Sequence, residues 1–338
     1  MLKKGSEFIM IEKNMLRDRA DCLPPVTDEM YEAFNEENKS ILTEFLDNST
    51  HLSKQSVKQY TSALRIFFNY VKDYLKNKPV YEISKRDFLK YVTFLQNHGL
   101  SSSALKIKKS AVSSLVNYIE TFVVEDDANY EKFKNFTKGL PLISANKVYE
   151  KVKITKEEYD FLIDTFISQE KYLYACWVAV SFNTGCRKEE ARQFKSEIVN
   201  YPFPDDKSFI DSHKIRAKGK GEDGKVLSYM FNREAIKYVK LWLEKRGYEH
   251  EYIFTTKYNN EISRVSEDWA NDLCTRIISN LLNRRINPHI FRASAATYLM
   301  EQGVDITKIS KYVLHHESLE VTQRYLIRDE SEEKDSIF

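Results

Sequence analysis

Apolar side chains recur every three or four residues through much of the first 140 positions, which is the spacing of amphipathic helices. The helical pattern begins near Lys39, and its longest run extends from Ser53 to Asn77, just before Pro79. Residues 1–35 show no clear periodicity and contain a Pro-Pro pair. We therefore predict an extended or partly disordered arm there.

Capping signals mark the helices that follow in this region. Ser84 with Asp87 forms a capping box, and Ser101 can cap the next helix. A further helix is predicted over roughly Tyr130 to Lys138. These patterns predict an all-α bundle of four helices and about 100 residues.

The second half of the chain predicts more helices and a small sheet. Thr155 and Glu158 form another capping box, and the apolar segment around Cys176 is predicted to be a core helix. Two β-forming segments, 208–216 and 226–231, flank a Gly/Lys turn and predict a hairpin. The other predicted elements are a helix capped by Asn232 that ends at Gly247, a short strand at Tyr252–Phe254, and a helix from Ser266 to about Asn283.

The predicted fold class is mainly α with a small β-sheet, divided into two domains. The predicted segments are an N-terminal arm at 1–38, a helical domain at 39–140, a linker at 141–153, a second domain at 154–327 and an acidic tail at 328–338.

Composition excludes several classes of protein. Hydrophobic residues make up 42% of the chain, which is ample for packed cores. A mean hydropathy of −0.52 and the lack of a long apolar run argue against a membrane span. The four cysteines lie far apart, with no CxxC pair, so neither a zinc site nor a disulfide framework is predicted. Together with an N-terminus too charged for a signal peptide, this predicts a reduced, cytoplasmic protein.

Charge is distributed unevenly along the chain. Residues 1–50 carry a net charge of −5, residues 51–120 carry +8, and the residues after Tyr325 carry −3. A basic middle is typical of proteins that bind a polyanion, although lysine-rich helices also serve as soluble surfaces. The candidate phosphate contacts in the helical domain are Lys54, Lys58, Arg65, Lys106, Lys108 and Lys109.

Candidate chemistry concentrates between Pro288 and Tyr325, which also contains His289, Arg292 and His316. Arginine holds phosphate oxygens with forked donors, histidine transfers protons, and tyrosine can act as a nucleophile beside cationic groups. Each of these residues alone has an ordinary structural explanation. The ordered set indicates a site that binds and attacks a phosphodiester.

Two earlier segments can add to this set. Arg187 follows the turn at Gly185 and begins a helix, where backbone amides also face an anion. Glu190 lies one helical turn later and could orient active-site cations. Lys220 lies in the Gly/Lys turn, where Lys218 is an alternative candidate.

Taken in order, these motifs resemble the signature of the tyrosine site-specific recombinases, the phage integrase family, over about residues 40 to 327. The matching motifs are Thr184-Gly185-Cys186-Arg187-x-x-Glu190, Gly219-Lys220-Gly221, Pro288-His289-x-x-Arg292, Leu314-His315-His316 and Thr322-Gln323-Arg324-Tyr325. The resemblance implies a clamp of two domains around duplex DNA, with a helical core-binding bundle and a mixed α/β catalytic domain.

In that family a tyrosine attacks the scissile phosphate, leaving a 3′-phosphotyrosyl bond and a free 5′-hydroxyl, with no metal or nucleotide cofactor. The resemblance implies Tyr325 as the nucleophile, Arg187 and Arg292 as phosphate ligands, Lys220 as the acid for the leaving oxygen, His289 as the base, His316 as a phosphate contact and Glu190 in support.

The resemblance also implies double-stranded DNA as the partner and a homo-oligomer on that DNA, with room for an accessory protein. Two positions depart from the family pattern. His315 stands where the family usually has glycine, and Ala293 stands where a polar residue is common. Two functions therefore remain open. One is a recombinase of a phage or mobile element, acting as a tetramer. The other is a dimeric DNA-binding regulator, such as a repressor, with cleavage weak or lost.

Overall fold

The structure is a computed structural model that describes residues 23–50, 52–139, 152–217 and 225–323. These residues form two compact units, one up to residue 139 and one from residue 152 onward. Most of them are helical, and the strands form three small antiparallel pairs, which confirms the predicted fold class. Within the described residues, no helix has the length and apolar character needed to cross a membrane.

The first unit is a helical bundle held by side-chain caps and an aromatic core. Ser53, Ser84 and Ser101 each accept a backbone N–H at the start of a helix, and the Ser84–Asp87 capping box is complete. Phe67 packs edge-on against Tyr91, with ring centroids 5.0 Å apart. The helices are α1 (Asp28–Glu32), α2 (Glu36–Asp47), α3 (Lys54–Tyr74), α4 (Lys85–Asn97) and α5 (Ser102–Tyr118), followed by a π-helical turn at Ile119–Val123.

The start of this unit differs from the predicted arm. Residues 28–32 form α1, capped by Thr27, and Phe34 is buried with its ring near that of Phe68. The prediction of an extended or partly disordered segment is therefore wrong for residues 28–34, because an aromatic side chain anchors them to the core. Residues 1–22 lie outside the described residues.

The predicted helix from Tyr130 to Lys138 is also wrong. These residues, all described, form the end of a 3-10 turn at Ala128–Tyr130 followed by irregular turns. The Asn135 side chain accepts hydrogen bonds from both the N–H and the hydroxyl of Thr137. Such local side-chain bonds compete with helical ones, so the segment turns instead of continuing as a helix.

The second unit is built around helix α7, where most side chains are buried and none is exposed, as predicted for the segment around Cys176. Helices α6, α9 and α12 pack against it. The helices are α6 (Lys156–Ser168), α7 (Tyr172–Thr184), α8 (Lys188–Ala191), α9 (Arg233–Arg246), α10 (Trp269–Asp272), α11 (Ser279–Leu281), α12 (Pro288–Glu301), α13 (Ile306–Lys308) and α14 (Leu319–Gln323), with π-helical turns at Leu273–Ile278 and Ile309–Val313.

The strands confirm the predicted hairpin and add an unpredicted pair. The hairpin is interrupted into two antiparallel pairs, with Ile210 opposite Phe231 and Arg216 opposite Val226. Its turn, residues 218–224, lies outside the described residues. The strands are β1 (Phe209–Asp211), β2 (Ile215–Ala217), β3 (Lys225–Leu227), β4 (Met230–Asn232), β5 (Thr255–Tyr258) and β6 (Glu261–Arg264), of which β1 pairs with β4, β2 with β3 and β5 with β6.

Two predicted boundaries in this unit are wrong. Tyr252 makes only an isolated bridge to Lys195, and the carbonyl of Ile253 accepts the Trp242 indole N–H. The strand begins later, as β5. The helix predicted from Ser266 begins at Trp269, and the Ser266 carbonyl only accepts a turn bond from that residue.

Two glycines end helices of this unit in the left-handed conformation. Gly185 ends α7 with φ of +63°, and a Cβ built on it would lie 2.9 Å from Cγ1 of Val313. Gly247 ends α9 with φ of +67°, and a Cβ there would meet nothing within 4 Å. Both positions require positive φ, but only Gly185 also requires the absence of a side chain.

An ion pair joins the start of α6 to the segment before α12. Both Nη atoms of Arg284 donate to the carboxylate of Glu158, and Nη2 also donates to the carbonyl of Lys153 at 2.8 Å. Glu158 completes the capping box with Thr155, which confirms that prediction. The hydrogen bonds from Arg284 hold the pKa of Glu158 below its ordinary value of 4.5, although burial opposes this.

The two glycines provide a matched pair of substitutions. Gly247→Ala should lower the free energy of unfolding by about 1 kcal/mol, the strain of alanine at positive φ. Gly185→Ala should lower it by about 2–4 kcal/mol, because the new methyl group must also displace Val313. Denaturant unfolding of both variants measures the difference, and equal losses would contradict the close packing at Gly185.

The Arg284–Glu158 pair should make stability depend on pH. Arg284→Met should lower the free energy of unfolding by about 1–2 kcal/mol at neutral pH. The pKa of Glu158 is lower in the folded state, so its stabilisation is complete above its ordinary pKa of 4.5 and is lost as pH falls through the lowered value. The difference from the unsubstituted protein should therefore shrink in acid. Arg276→Met, at a side chain 79% exposed, should show little effect at any pH.

Candidate active site

Three segments of the second unit meet at the guanidinium of Arg292, which is fully buried. Its Nη1 donates to the carbonyl of Gly185 at 2.5 Å, and its Nη2 donates to the carbonyl of Leu314. Arg292 lies on α12, Gly185 ends α7, and Leu314 follows the π-helical turn at Ile309–Val313. The arginine therefore brings the residues beside Gly185 and Leu314 next to its own helix.

His316 is held on both sides of its ring. Its Nδ1 lies 2.9 Å from the Thr322 hydroxyl, and its Nε2 lies 3.4 Å from Nη2 of Arg292. The Thr322 hydroxyl donates to Ser310, so it accepts a hydrogen from Nδ1, and the Nε2 lone pair faces the arginine. Burial and the charges of Arg292 and Arg187 lower the pKa of His316 to about 4. The ring is thus neutral at physiological pH.

Arg187 is oriented by Glu190, which is buried. The backbone N–H of Arg187 donates to Oε2 of Glu190 at 2.7 Å, and its Nη1 donates to Oε1 at 2.8 Å. The hydroxyl of Tyr229 also donates to Oε2. Burial opposes ionisation of Glu190, but the bond from Tyr229 and the charge of Arg187 outweigh it and lower its pKa. Glu190 is therefore a carboxylate that fixes the arginine.

His289 is the second residue of α12, where its backbone N–H donates to the capping side chain of Asn287. It lines a concave surface together with Arg187, Glu190 and Arg216. Burial and the positive charges of Arg292 and Arg187 lower the pKa of His289 below its ordinary value of 6.5. A neutral imidazole beside two arginines can accept a proton.

His315 has φ of +49°, in the region that favours glycine. This explains physically why a glycine is usual at this position in the family that the sequence resembles. The His315 ring packs edge-on against Tyr229, with centroids 4.9 Å apart and planes at 89°. Its carbonyl accepts a hydrogen bond from Nζ of Lys225 at 3.3 Å.

The structure thus places five of the residues predicted to act at or support the active site in one cluster. Tyr325, Lys220 and its alternative Lys218 lie outside the described residues. Three further residues support this cluster. Ser310 and Thr322 lie within the part of the sequence that resembles the family signature, whereas no motif predicted Tyr229. The clustered residues are Arg187, Glu190, His289, Arg292 and His316.

The predicted phosphate contacts of the first unit differ in their surroundings. Lys58 and Lys106 are exposed, whereas Lys109 and Lys108 are partly buried, and burial lowers the pKa of Lys108. The guanidinium of Arg65 donates to Asp28 at 2.9 Å and lies 4.5 Å from the ring centroid of Tyr31. The structure does not describe the side chain of Lys54, the first residue of α3.

Two family models match this chain. Residues 153–332 match the model described as "Phage integrase family". Residues 41–123 match the model described as "Phage integrase, N-terminal SAM-like domain".

The chain resembles curated proteins along most of its length. It is 52% identical over 330 residues to the SPbeta prophage-derived recombinase-like protein YomM of Bacillus subtilis (strain 168), covering 97% of this chain and 98% of that protein. It is 26% identical over 296 residues to the tyrosine recombinase XerA of Pyrococcus horikoshii, covering 85% of this chain and 89% of that protein.

Solved structures share the fold. XerH recombinase bound to a palindromic difH substrate matches with a TM-score of 0.64 and 19% identity, covering 94% of this chain and 92% of XerH. A lambda integrase dimer bound to a COC′ core site matches with a TM-score of 0.61 and 14% identity, covering 94% of this chain and 82% of that one. On the strength of the family match and the YomM relative, the chain belongs to the phage integrase family of tyrosine recombinases.

Proposed function

We propose that this protein is a site-specific DNA recombinase of a phage or mobile element, which cuts and rejoins duplex DNA through a 3′-phosphotyrosyl bond to Tyr325. The observation that carries the proposal is the cluster of two arginines and two histidines, in which the buried carboxylate of Glu190 orients Arg187. Such a cluster suits a phosphate whose negative charge grows in the transition state. Family membership and the prophage origin of the relative YomM support the assignment.

The roles follow from the charges of the cluster. Arg187, held by Glu190, presents its forked guanidinium to the non-bridging oxygens, and Arg292 acts beside it. His289 is neutral and can take the proton of the attacking tyrosine. A bound phosphate would raise the pKa of His316, so that Nε2 becomes protonated and donates a hydrogen bond to a phosphate oxygen. Lys220 protonates the leaving 5′-oxygen.

Double-stranded DNA is the proposed partner. The XerH structure is bound to a palindromic difH substrate, and the lambda integrase dimer is bound to a COC′ core site. Among the predicted phosphate contacts of the first unit whose side chains the structure describes, we propose the exposed Lys58 and Lys106 as the residues that bind phosphates. We propose that the protein acts as a homo-tetramer on paired sites.

A second candidate function is a DNA-binding regulator that acts as a dimer and no longer cleaves. The burial of Arg292 favours it, because a guanidinium whose Nη atoms both bond to backbone carbonyls can be purely structural. The relative YomM is named a recombinase-like protein, which fits either function.

A covalent adduct separates the two functions. The probe is a duplex site that is selected by its binding to this protein and carries a nick near the point of cleavage. After cleavage, the short fragment with the free 5′-hydroxyl diffuses away, so religation fails. The recombinase should form an adduct that survives a denaturing gel, and Tyr325→Phe should abolish it. Tyr312→Phe, at an exposed tyrosine, is the control and should keep it. Tight, specific binding without any adduct would favour the regulator.

Salt dependence tests the proposed DNA-binding face. The slope of log K against log salt should become shallower by about 0.9 for each phosphate contact removed, so Lys58→Ala and Lys106→Ala should each reduce it. Arg65→Ala should mainly lower thermal stability, because Arg65 already pairs with Asp28 and Tyr31. An unchanged slope in both lysine variants would refute their role.

A further inference from the structure

His315 occupies its strained position with a bulky ring. A φ of +49° is costly for most residues with a side chain, and glycine would adopt it freely. The Nε2 atom of the ring is buried and has no hydrogen-bond partner among the described residues. Because no hydrogen bond to Nε2 holds the ring, we attribute its position to packing, namely the edge-on contact with Tyr229.

Tyr229 connects this ring to Arg187. Its hydroxyl donates to Oε2 of Glu190, which also accepts the backbone N–H of Arg187. The other oxygen, Oε1, accepts from the guanidinium. Arg187 therefore binds both oxygens of the carboxylate, and the bond from Tyr229 to Oε2 further restricts its rotation.

We propose that His315 is a positioning residue for Arg187, whose ring keeps Tyr229 against Glu190 and so aligns the guanidinium toward the phosphate. This inference rests on the proposed function, in which Arg187 binds the scissile phosphate.

The charges around His315 agree with a packing role. Burial and the charge of Arg292 lower the pKa of His315 to about 4, with Lys225 and Arg187 acting in the same direction and Glu190 opposing them. The ring is therefore neutral at physiological pH. It fills the space over Tyr229 without adding another positive charge to the arginines.

Three substitutions distinguish the effect of the His315 ring from the effect of the positive backbone φ. His315→Gly removes the ring and suits positive φ, so the fold is kept. Tyr229→Phe removes the hydroxyl that reaches Glu190 and keeps the aromatic ring. Asn260→Gly is the matched control, since Asn260 has φ of +64° in the exposed turn between β5 and β6.

The first measurement is hydrogen exchange at the backbone amide of Arg187, which needs no DNA. This amide donates to Glu190, so its exchange reports whether the carboxylate keeps its orientation. His315→Gly and Tyr229→Phe should both speed exchange at Arg187 by about tenfold, while Asn260→Gly should leave it unchanged. Unchanged exchange in His315→Gly would overturn the inference.

The second measurement compares adduct formation on the nicked site with an ordinary phosphate or with a neutral methylphosphonate at the scissile position. His315→Gly should slow adduct formation by about tenfold on the phosphate substrate. On the methylphosphonate substrate the rate should change by no more than about twofold, because that substrate lacks the negative charge that Arg187 neutralises. An equal deficit on both substrates would overturn the inference, since it would show a general structural defect. If the unsubstituted protein forms no adduct, the proposed function fails, and the exchange measurement still decides the role of His315.

Discussion

A guanidinium fully removed from water is stable only where the protein supplies acceptors for it, and Arg292 finds them in two backbone carbonyls from distant parts of the chain. One belongs to Gly185, which is 107 positions earlier, and the other to Leu314. The close approach of Gly185 to Val313 brings the same segments together by packing. The contacts that bury Arg292 therefore also assemble the candidate site, because Arg187 lies two residues after Gly185 and His316 lies two residues after Leu314.

This constraint also sets the protonation of the site. Burial, aided by the charges of the two arginines, lowers the pKa of His289 and His316 and keeps both rings neutral, whereas the Tyr229 hydroxyl and Arg187 keep Glu190 ionised against its burial. Without a phosphate the cluster therefore holds two guanidinium charges and one carboxylate. The arriving phosphate would meet donors that are already oriented, which is the condition for electrostatic stabilisation without reorganisation.

The sequence predicted those features that depend on neighbours a few residues away. The capping boxes at Ser84 and Thr155 were confirmed because their partners lie three residues along the chain. The errors at 130–138 and at Tyr252 arose where distant or irregular contacts outweigh local propensity, such as the Trp242 bond to Ile253.

The site shows the same division between local and distant information. The ordered motifs led to Arg187, His289, Arg292 and His316, because each lies inside a recognisable local pattern. Tyr229 carries no such signal, since its role depends on Glu190, 39 residues earlier, and on the ring of His315. The residues proposed to bind the phosphate lie within the described cluster, whereas Tyr325 and Lys220 lie outside the described residues. The same fold with the same cluster can serve either a recombinase or a regulator, because a fold does not by itself fix the function.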